Sequence, residues 1–314
     1  MSTELVEVRR SGFREGVHRG SLIVLSPDGR AEVTLGVVDE PIFPRSTNKP
    51  MQATALLRAG FEPVDRTELA IATASHYGEP EHLRLVRRLL DRFDLSTDHL
   101  RCPPELPTDE PARARAVQHG GPSRIAMNCS GKHAAMLATC RVNGWPIDSY
   151  LDPAHPAQCA VLATVSALTD EPEPATLGTD GCGAPIVPVS LRGLARAFGR
   201  FAIAAAGTPE RRVADAIRGA PYVISGTGAA DLQLVTAVPG LVTKAGADGV
   251  HAGALPDGTA FAFKIDDGGE RARLPLAAAI LRRMGADVPI ELLTSPVLGG
   301  GEPVGMVRVL PGRL

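Results

Sequence analysis

The chain has no excess of charge of either sign: 33 Lys and Arg stand against 35 Asp and Glu over 314 residues, a net −2. That leaves no basic footprint for nucleic acid, and a small-molecule or protein partner is the expectation. No run of 18 apolar residues occurs, which excludes a helical membrane span. Residues 1–20 mix Glu4, Glu7, Arg9, Arg10, Arg14 and Glu15 without an apolar centre, so they do not read as a signal peptide. Five cysteines, an odd number scattered through a long chain, do not make a disulfide framework. They imply reduced thiols and a cytoplasmic protein. Aromatic residues make up only 4%, and Trp145, the single tryptophan, reads as core. There is no internal repeat and no low-complexity linker. At 44% apolar and 22% charged residues the chain is an ordinary globular protein, which excludes disorder and collagen-like structure.

What is present is an alternation of strand-like ends and a helical middle. Ser21–Leu25 and Ala31–Leu35 flank Ser26-Pro27-Asp28-Gly29, a turn signal that predicts a β-hairpin. From Met51 the apolar residues follow a helical period that ends at Gly60. Further helices are predicted over 80–93, 131–141, 153–168, 209–218 and 270–284. Strands are predicted over 232–238, 241–244, 258–265 and 304–310. The pattern is α+β: one antiparallel sheet built from both chain ends, about 1–45 and 220–314, with a helical region of about 46–219 inserted. A single domain over 1–314 is expected, with a cleft where sheet and helices meet.

Arg45-Ser46-Thr47-Asn48-Lys49-Pro50 stands where that first helix begins. Residues three apart share a helix face, so Lys49 can lie beside the Ser46 hydroxyl and take its proton. A lysine can act so only if burial or a second cation favours its neutral form. The helix N-terminus also steadies a developing oxyanion. The bland alternative is Ser46 as an N-cap and Lys49 as a solvated charge, and Pro50 disfavours helical backbone at Lys49. Lys244-Ala245-Gly246 after a predicted strand approximates the Lys-Thr-Gly element of β-lactamases. Lys264, within an apolar strand, is either an edge-strand gatekeeper or a cleft cation. Ser75-His76-Tyr77-Gly78-Glu79 closes an apolar run and is either a turn or part of a site.

Asn128-Cys129-Ser130-Gly131-Lys132-His133 and Asp180-Gly181-Cys182-Gly183 are the densest chemical stretches. Cys129, Lys132 and Cys182 could hold a metal through two thiolates and a neutral amine. The two cysteines could equally be small buried hydrophobes. A third reading is a cysteine hydrolase, with Cys129 attacking and His133 as base. Cys102, Cys140 and Cys159 read as packing.

Taken together these segments resemble the asparaginase II family, the rhizobial-type L-asparaginases. The likeness runs from Glu15-Gly16-Val17-His18-Arg19 through Arg45–Gln52, Ala74-Ser75-His76, Asn128–His133, His155–Gln158 and Gly178–Cys182 to Lys264–Gly268. It implies a serine β-lactamase-like fold, a homodimer, and hydrolysis of L-asparagine to aspartate and ammonia through an acyl-enzyme. It also implies two Ser-Lys tandems, here Ser46 with Lys49 and Ser75 with Lys264. One zinc per protomer is implied on Cys129, Lys132 and Cys182, tuning substrate binding without supplying the nucleophile. Arg45, His133 and Asp180 would contact substrate. After Gly226-Thr227-Gly228, where many relatives carry arginine, this chain has Ala229. Competing readings are another Ser-Lys amidohydrolase, esterase or penicillin-interacting protein, and a non-catalytic zinc-binding module.

Overall fold

The computed structural model describes residues 1–314. In chain order the strands are β1 (Thr3–Arg10), β2 (Phe13–Leu25), β3 (Ala31–Leu35), β4 (Gly178–Thr179), β5 (Pro185–Ile186), β6 (Val242–Ala245), β7 (Val250–Ala254), β8 (Ala260–Ile265), β9 (Thr294–Gly299) and β10 (Glu302–Val309). The helices are α1 (Lys49–Arg58), α2 (Arg66–Thr73), α3 (Pro80–Asp91), α4 (Glu110–Gln118), α5 (Ser130–Asn143), α6 (Pro156–Thr169), α7 (Leu191–Ile203), α8 (Pro209–Gly219), α9 (Ala230–Ala237) and α10 (Arg273–Arg283). The class is the expected mixture of helices and antiparallel sheet. No helix is long and apolar enough to cross a membrane.

The chain divides into two compact units. The first comprises Met1–Thr47, Val189–Ile203 and Gln233–Leu314, and the second Asn48–Pro188 and Ala204–Leu232. The first unit holds the sheet, ordered β6-β7-β8-β2-β1-β10-β9, with β3 also on β2. The hairpin read from Pro27-Asp28-Gly29 is β2 and β3, paired from Leu22↔Leu35 to Leu25↔Ala31. β2 is long enough to pair with β1 through its first half and with β8 through its second. This is what joins strands from opposite chain ends. α7 and α10 lie on the sheet, and Leu22, Val24, Phe261, Phe263, Leu276 and Ile280 form its buried core. Each such side chain contributes about 1.5–3 kcal/mol by leaving water.

One prediction fails here. Residues 232–238 form most of the helix α9 instead of a strand. Asp231, Leu234, Val235 and Val238 are the buried positions, and their spacing of three and four is helical. The β-branched valines hid that period. The second unit is helical. In it α1 packs on α6, α8 and α2, and α5 packs on α2 and α3. β4 and β5 form a small separate hairpin.

Candidate functional site

In the sheet unit, a 3₁₀ turn spans Arg45–Asn48 and carries Ser46. Thr47 steadies it, its N–H and hydroxyl both donating to the Pro44 carbonyl at 3.2 and 2.6 Å. Arg45 has a left-handed backbone, φ +52°. Strand β6 ends beside this turn: a Cβ on Gly246 would lie 2.9 Å from the Pro44 oxygen and 3.3 Å from the Ser46 nitrogen. Only glycine allows that approach. Two residues earlier, Lys244 is 1% exposed and donates to the Ala245 carbonyl at 2.9 Å.

Lys264 lies in the same unit, near Arg45. Its strand β8 sits between β7 and β2, so the edge-strand reading falls. Its ammonium donates to the carbonyls of Asp248 and Ile265. It lines an open cleft of about 420 Å³ with Ile42, Phe43, Arg45, Asp248, Asp266 and Asp267. The sequence gives Lys244 and Lys264 similar surroundings. The strand that backs the Ser46 turn is the one carrying Lys244, and the Lys-Ala-Gly element was its signal.

The 3₁₀ turn runs straight into α1, whose first residue is Lys49 in the helical unit. Pro50 follows without displacing it, because a missing N–H in the first helical turn breaks no intrahelical bond. Lys49 is fully buried. Its ammonium donates to the Ser75 hydroxyl at 2.8 Å and to the Ala74 carbonyl. The solvated-charge reading therefore fails. Ser75 sits just past the end of α2 on an extended segment. That segment bonds to residues 224–225, with Ser75 N–H on Ile224 O at 2.9 Å and Tyr77 N–H on Ser225 O at 2.7 Å. It also bonds to the segment leading into α5, through His76 N–H on Asn128 O at 3.1 Å.

The His76 ring fixes the same junction. Nε2 lies 2.8 Å from the Ser130 hydroxyl, which itself donates to Ile125 O, and Nδ1 accepts from Gly78 N–H. The proton therefore sits on Nε2. Burial, then the neighbouring His82 and Lys49, hold His76 far below the usual histidine range, and burial also lowers His82. The unfolded chain takes up protons near pH 6.5 that these folded side chains refuse, so stability falls as pH drops below that value. Thermal melting from pH 8 to 5 should show the midpoint declining below about pH 6.5, with a smaller decline in His76→Gln.

The thiols collect at the start of α5. A Cβ on Gly131 would lie 2.2 Å from the Ile71 carbonyl oxygen, so this glycine lets α5 meet α2. Cys129 is the N-cap and Lys132 lies in the first turn. The β4–β5 hairpin delivers Cys182, with Gly183 at φ +85° in its tip. The Lys132 ammonium, 1% exposed, donates to Cys182 Sγ at 3.1 Å, and Asp180 lies 3.8 Å from the same sulfur.

A hydrogen bond from Cys129, then the Lys132 charge, carry Cys182 far below the ordinary thiol range despite burial. That bond and burial push Cys129 well above it. Burial opposes the charge on Lys132, but Cys182, Cys129 and Asp180 outweigh it and raise its proton affinity. Cys182 and Lys132 form a buried pair in which each favours the charged form of the other. Burial lowers His133 into its neutral form. Its Nδ1 lies 2.7 Å from the Tyr150 hydroxyl, and Nε2 has no hydrogen-bond partner. With its proton held firmly, Cys129 is a poor nucleophile, which removes support from the cysteine-hydrolase reading.

No three His, Cys, Asp or Glu side chains gather closely enough to hold a metal, so a site here depends on Lys132 as third donor. Two sulfurs and one nitrogen around a buried centre suit zinc, and the orphaned His133 nitrogen leaves a polar position beside them. The residues present therefore fit the ion.

The sheet is built from both chain ends, and the Ser46 turn leads into a helix whose first residue, Lys49, is bonded to a second serine. The L-asparaginase II family model matches residues 6–309, and the chain belongs to that family. No curated protein matches it. Among solved structures, Mglu in its native form is 16% identical, covering 85% of this chain and 63% of that one, at a TM-score of 0.45. A β-lactamase from Mycobacterium bovis is 15% identical, covering 84% and 94%, at 0.45. EstCE1, a hydrolase with promiscuous acyltransferase activity, is 13% identical, covering 85% and 89%, at 0.39. The chain thus spans less than two thirds of the Mglu length.

Proposed function

We propose that the chain is an L-asparaginase in which Ser46 is the nucleophile and Lys49 its base. The observation that carries this reading is the Lys49 ammonium, fully buried and bonded to the Ser75 hydroxyl one helical turn after Ser46. A buried lysine tied to a second hydroxyl has a route by which to lose and regain its proton. Ser46 attacks the side-chain amide carbon as neutral Lys49 takes its proton. Backbone N–H groups at the 3₁₀ turn stabilise the oxyanion. The C–N bond breaks and ammonia leaves with a proton returned through Lys49 and Ser75. Water, deprotonated by the same pair, then cleaves the aspartyl ester and frees Ser46.

The second lysine of the site is Lys244. Burial and the strand that abuts the Ser46 turn favour it over Lys264, which sits in the open cleft. Lys244→Met should lower kcat for asparagine at least ~10²-fold, the usual worth of a positioned proton-transfer group. Lys264→Met should lower it by less than about tenfold. The reverse ranking of the two variants would restore Lys264 to the relay.

Arg45, His133 and Asp180 orient the substrate, and the protein works as a homodimer, which light scattering on a sizing column tests. Cys129, Lys132 and Cys182 would hold one zinc per protomer, where its charge would strengthen binding of an anionic or carbonyl group of the substrate. Elemental analysis of protein purified without chelator should find about one zinc per chain. Cys129→Ala and Cys182→Ala should each lose it. Variants that retain wild-type zinc content would place the ion elsewhere.

An esterase is the second reading, because a Ser-Lys pair attacks esters by the same steps. Ammonia release from asparagine set against hydrolysis of p-nitrophenyl acetate separates the two. Turnover of the ester alone would remove the asparagine assignment.

A further inference from the structure

Three residues without glycine's freedom hold left-handed backbones in the sheet unit, Ser11, Arg45 and Asp248, and the last two are bonded to each other. Arg45 has φ +52° and Asp248 has φ +54°, a region few non-glycine side chains enter and one that persists where its surroundings enforce it. The Arg45 guanidinium is ion-paired with the Asp248 carboxylate. The turn that presents Asp248 is itself anchored from β8. Lys264 donates to the Asp248 carbonyl, and Ile265 N–H bonds to Gly249 O at 3.0 Å. A Cβ on Gly268 would lie 3.2 Å from the Asp248 Cα. Gly246, two residues before Asp248, abuts the backbone of Pro44 and Ser46. Lys264, Asp248 and Arg45 thus form a chain of contacts that ends one residue before Ser46.

We propose that Asp248 is a positioning residue: by pinning the Arg45 guanidinium it holds the left-handed turn that aims the Ser46 hydroxyl. Lys264 anchors Asp248 in this arrangement. The Asp248 side chain is 61% exposed, so its charge can be removed with little consequence for packing. The proposal rests on Ser46 being the nucleophile.

The test is the rate at which a fluorophosphonate labels Ser46, located by peptide mass spectrometry, measured beside ammonia release from asparagine. Asp248→Asn keeps the size and the tolerance of left-handed backbone and loses the charge. Arg45→Gly keeps the backbone conformation and loses the pair. Asp248→Asn should slow both labelling and kcat by about 10–100-fold, the effect expected when a nucleophile shifts by a fraction of an ångström to an ångström. KM should stay within about threefold and the melting temperature should not move. The double variant should be no slower than Arg45→Gly alone, because the two changes remove one interaction. Wild-type labelling in Asp248→Asn, or effects that multiply in the double variant, would overturn the proposal. A wild type that labels at Ser46 yet releases no ammonia defeats only the asparagine reading, and the labelling rates still judge Asp248. A wild type that does not label at Ser46 overturns both.

Discussion

Ser46→Ala and Lys49→Met should each abolish turnover of asparagine while leaving the protein folded. Losing a nucleophile costs on the order of 10⁴-fold or more in kcat, and losing its base about 10²–10⁴-fold. Ser46 is half-buried on a short turn, so alanine there is a small structural change. Lys49 is buried, and methionine keeps its length and apolar stem while removing the ammonium. The Ser75 hydroxyl and Ala74 carbonyl lose a donor in that variant, which costs about 1–3 kcal/mol of stability. Circular dichroism should therefore show native spectra for both, with a lower midpoint for Lys49→Met. Retention of more than about one hundredth of the wild-type rate by either would sink the assignment.

Gly131→Ala should be strongly destabilising. The new Cβ would stand 2.2 Å from the Ile71 carbonyl oxygen and 2.8 Å from the Ile71 Cγ1. Neither neighbour can swing aside, since one is backbone inside α2 and the other is fully buried. The helices must separate instead, which opens the packing under Ser75 and under Cys129 together. Overpacking of this kind costs about 3 kcal/mol or more. Thermal unfolding should fall by about 5 °C or more, and zinc content and asparagine turnover should fall with it. A Gly131→Ala protein with unchanged melting and zinc would mean that α2 and α5 are not in such contact.

How far the sequence reveals this arrangement depends on the range of the interaction concerned. The β2–β3 hairpin and helices α3, α5, α6 and α8 follow from turn chemistry and apolar period, which are local. β1, β7 and β9 carry weaker signals and become strands by pairing with β2, β8 and β10. α9 misleads because Leu232, Leu234, Val235 and Val238 suit a strand until burial picks out the helical spacing.

The same divide runs through the site. Ser-x-x-Lys and the Cys129–His133 hexapeptide are contiguous and legible. The proposed preference for Lys244 over Lys264 is only partly so: Lys244-Ala245-Gly246 is a local signal, but the approach of Gly246 to the Ser46 turn is a long-range contact. Asp248 had a signal in its Asp-Gly turn sequence, but its ion pair with Arg45 spans 203 residues. His76 stood out only within the Ser75–Glu79 cluster, and its partner Ser130, 54 residues away, was not legible.

The account's central claim is that Ser46 becomes acylated during turnover. The most direct measurement is mass spectrometry of protein mixed with saturating asparagine, quenched in acid within the first turnovers and digested. An aspartyl ester should appear on the peptide containing Ser46, should vanish in Ser46→Ala, and should be absent from the peptides of Ser75, Cys129 and Cys182. An adduct on any of those three residues, or full turnover with no adduct and an active Ser46→Ala protein, would contradict it.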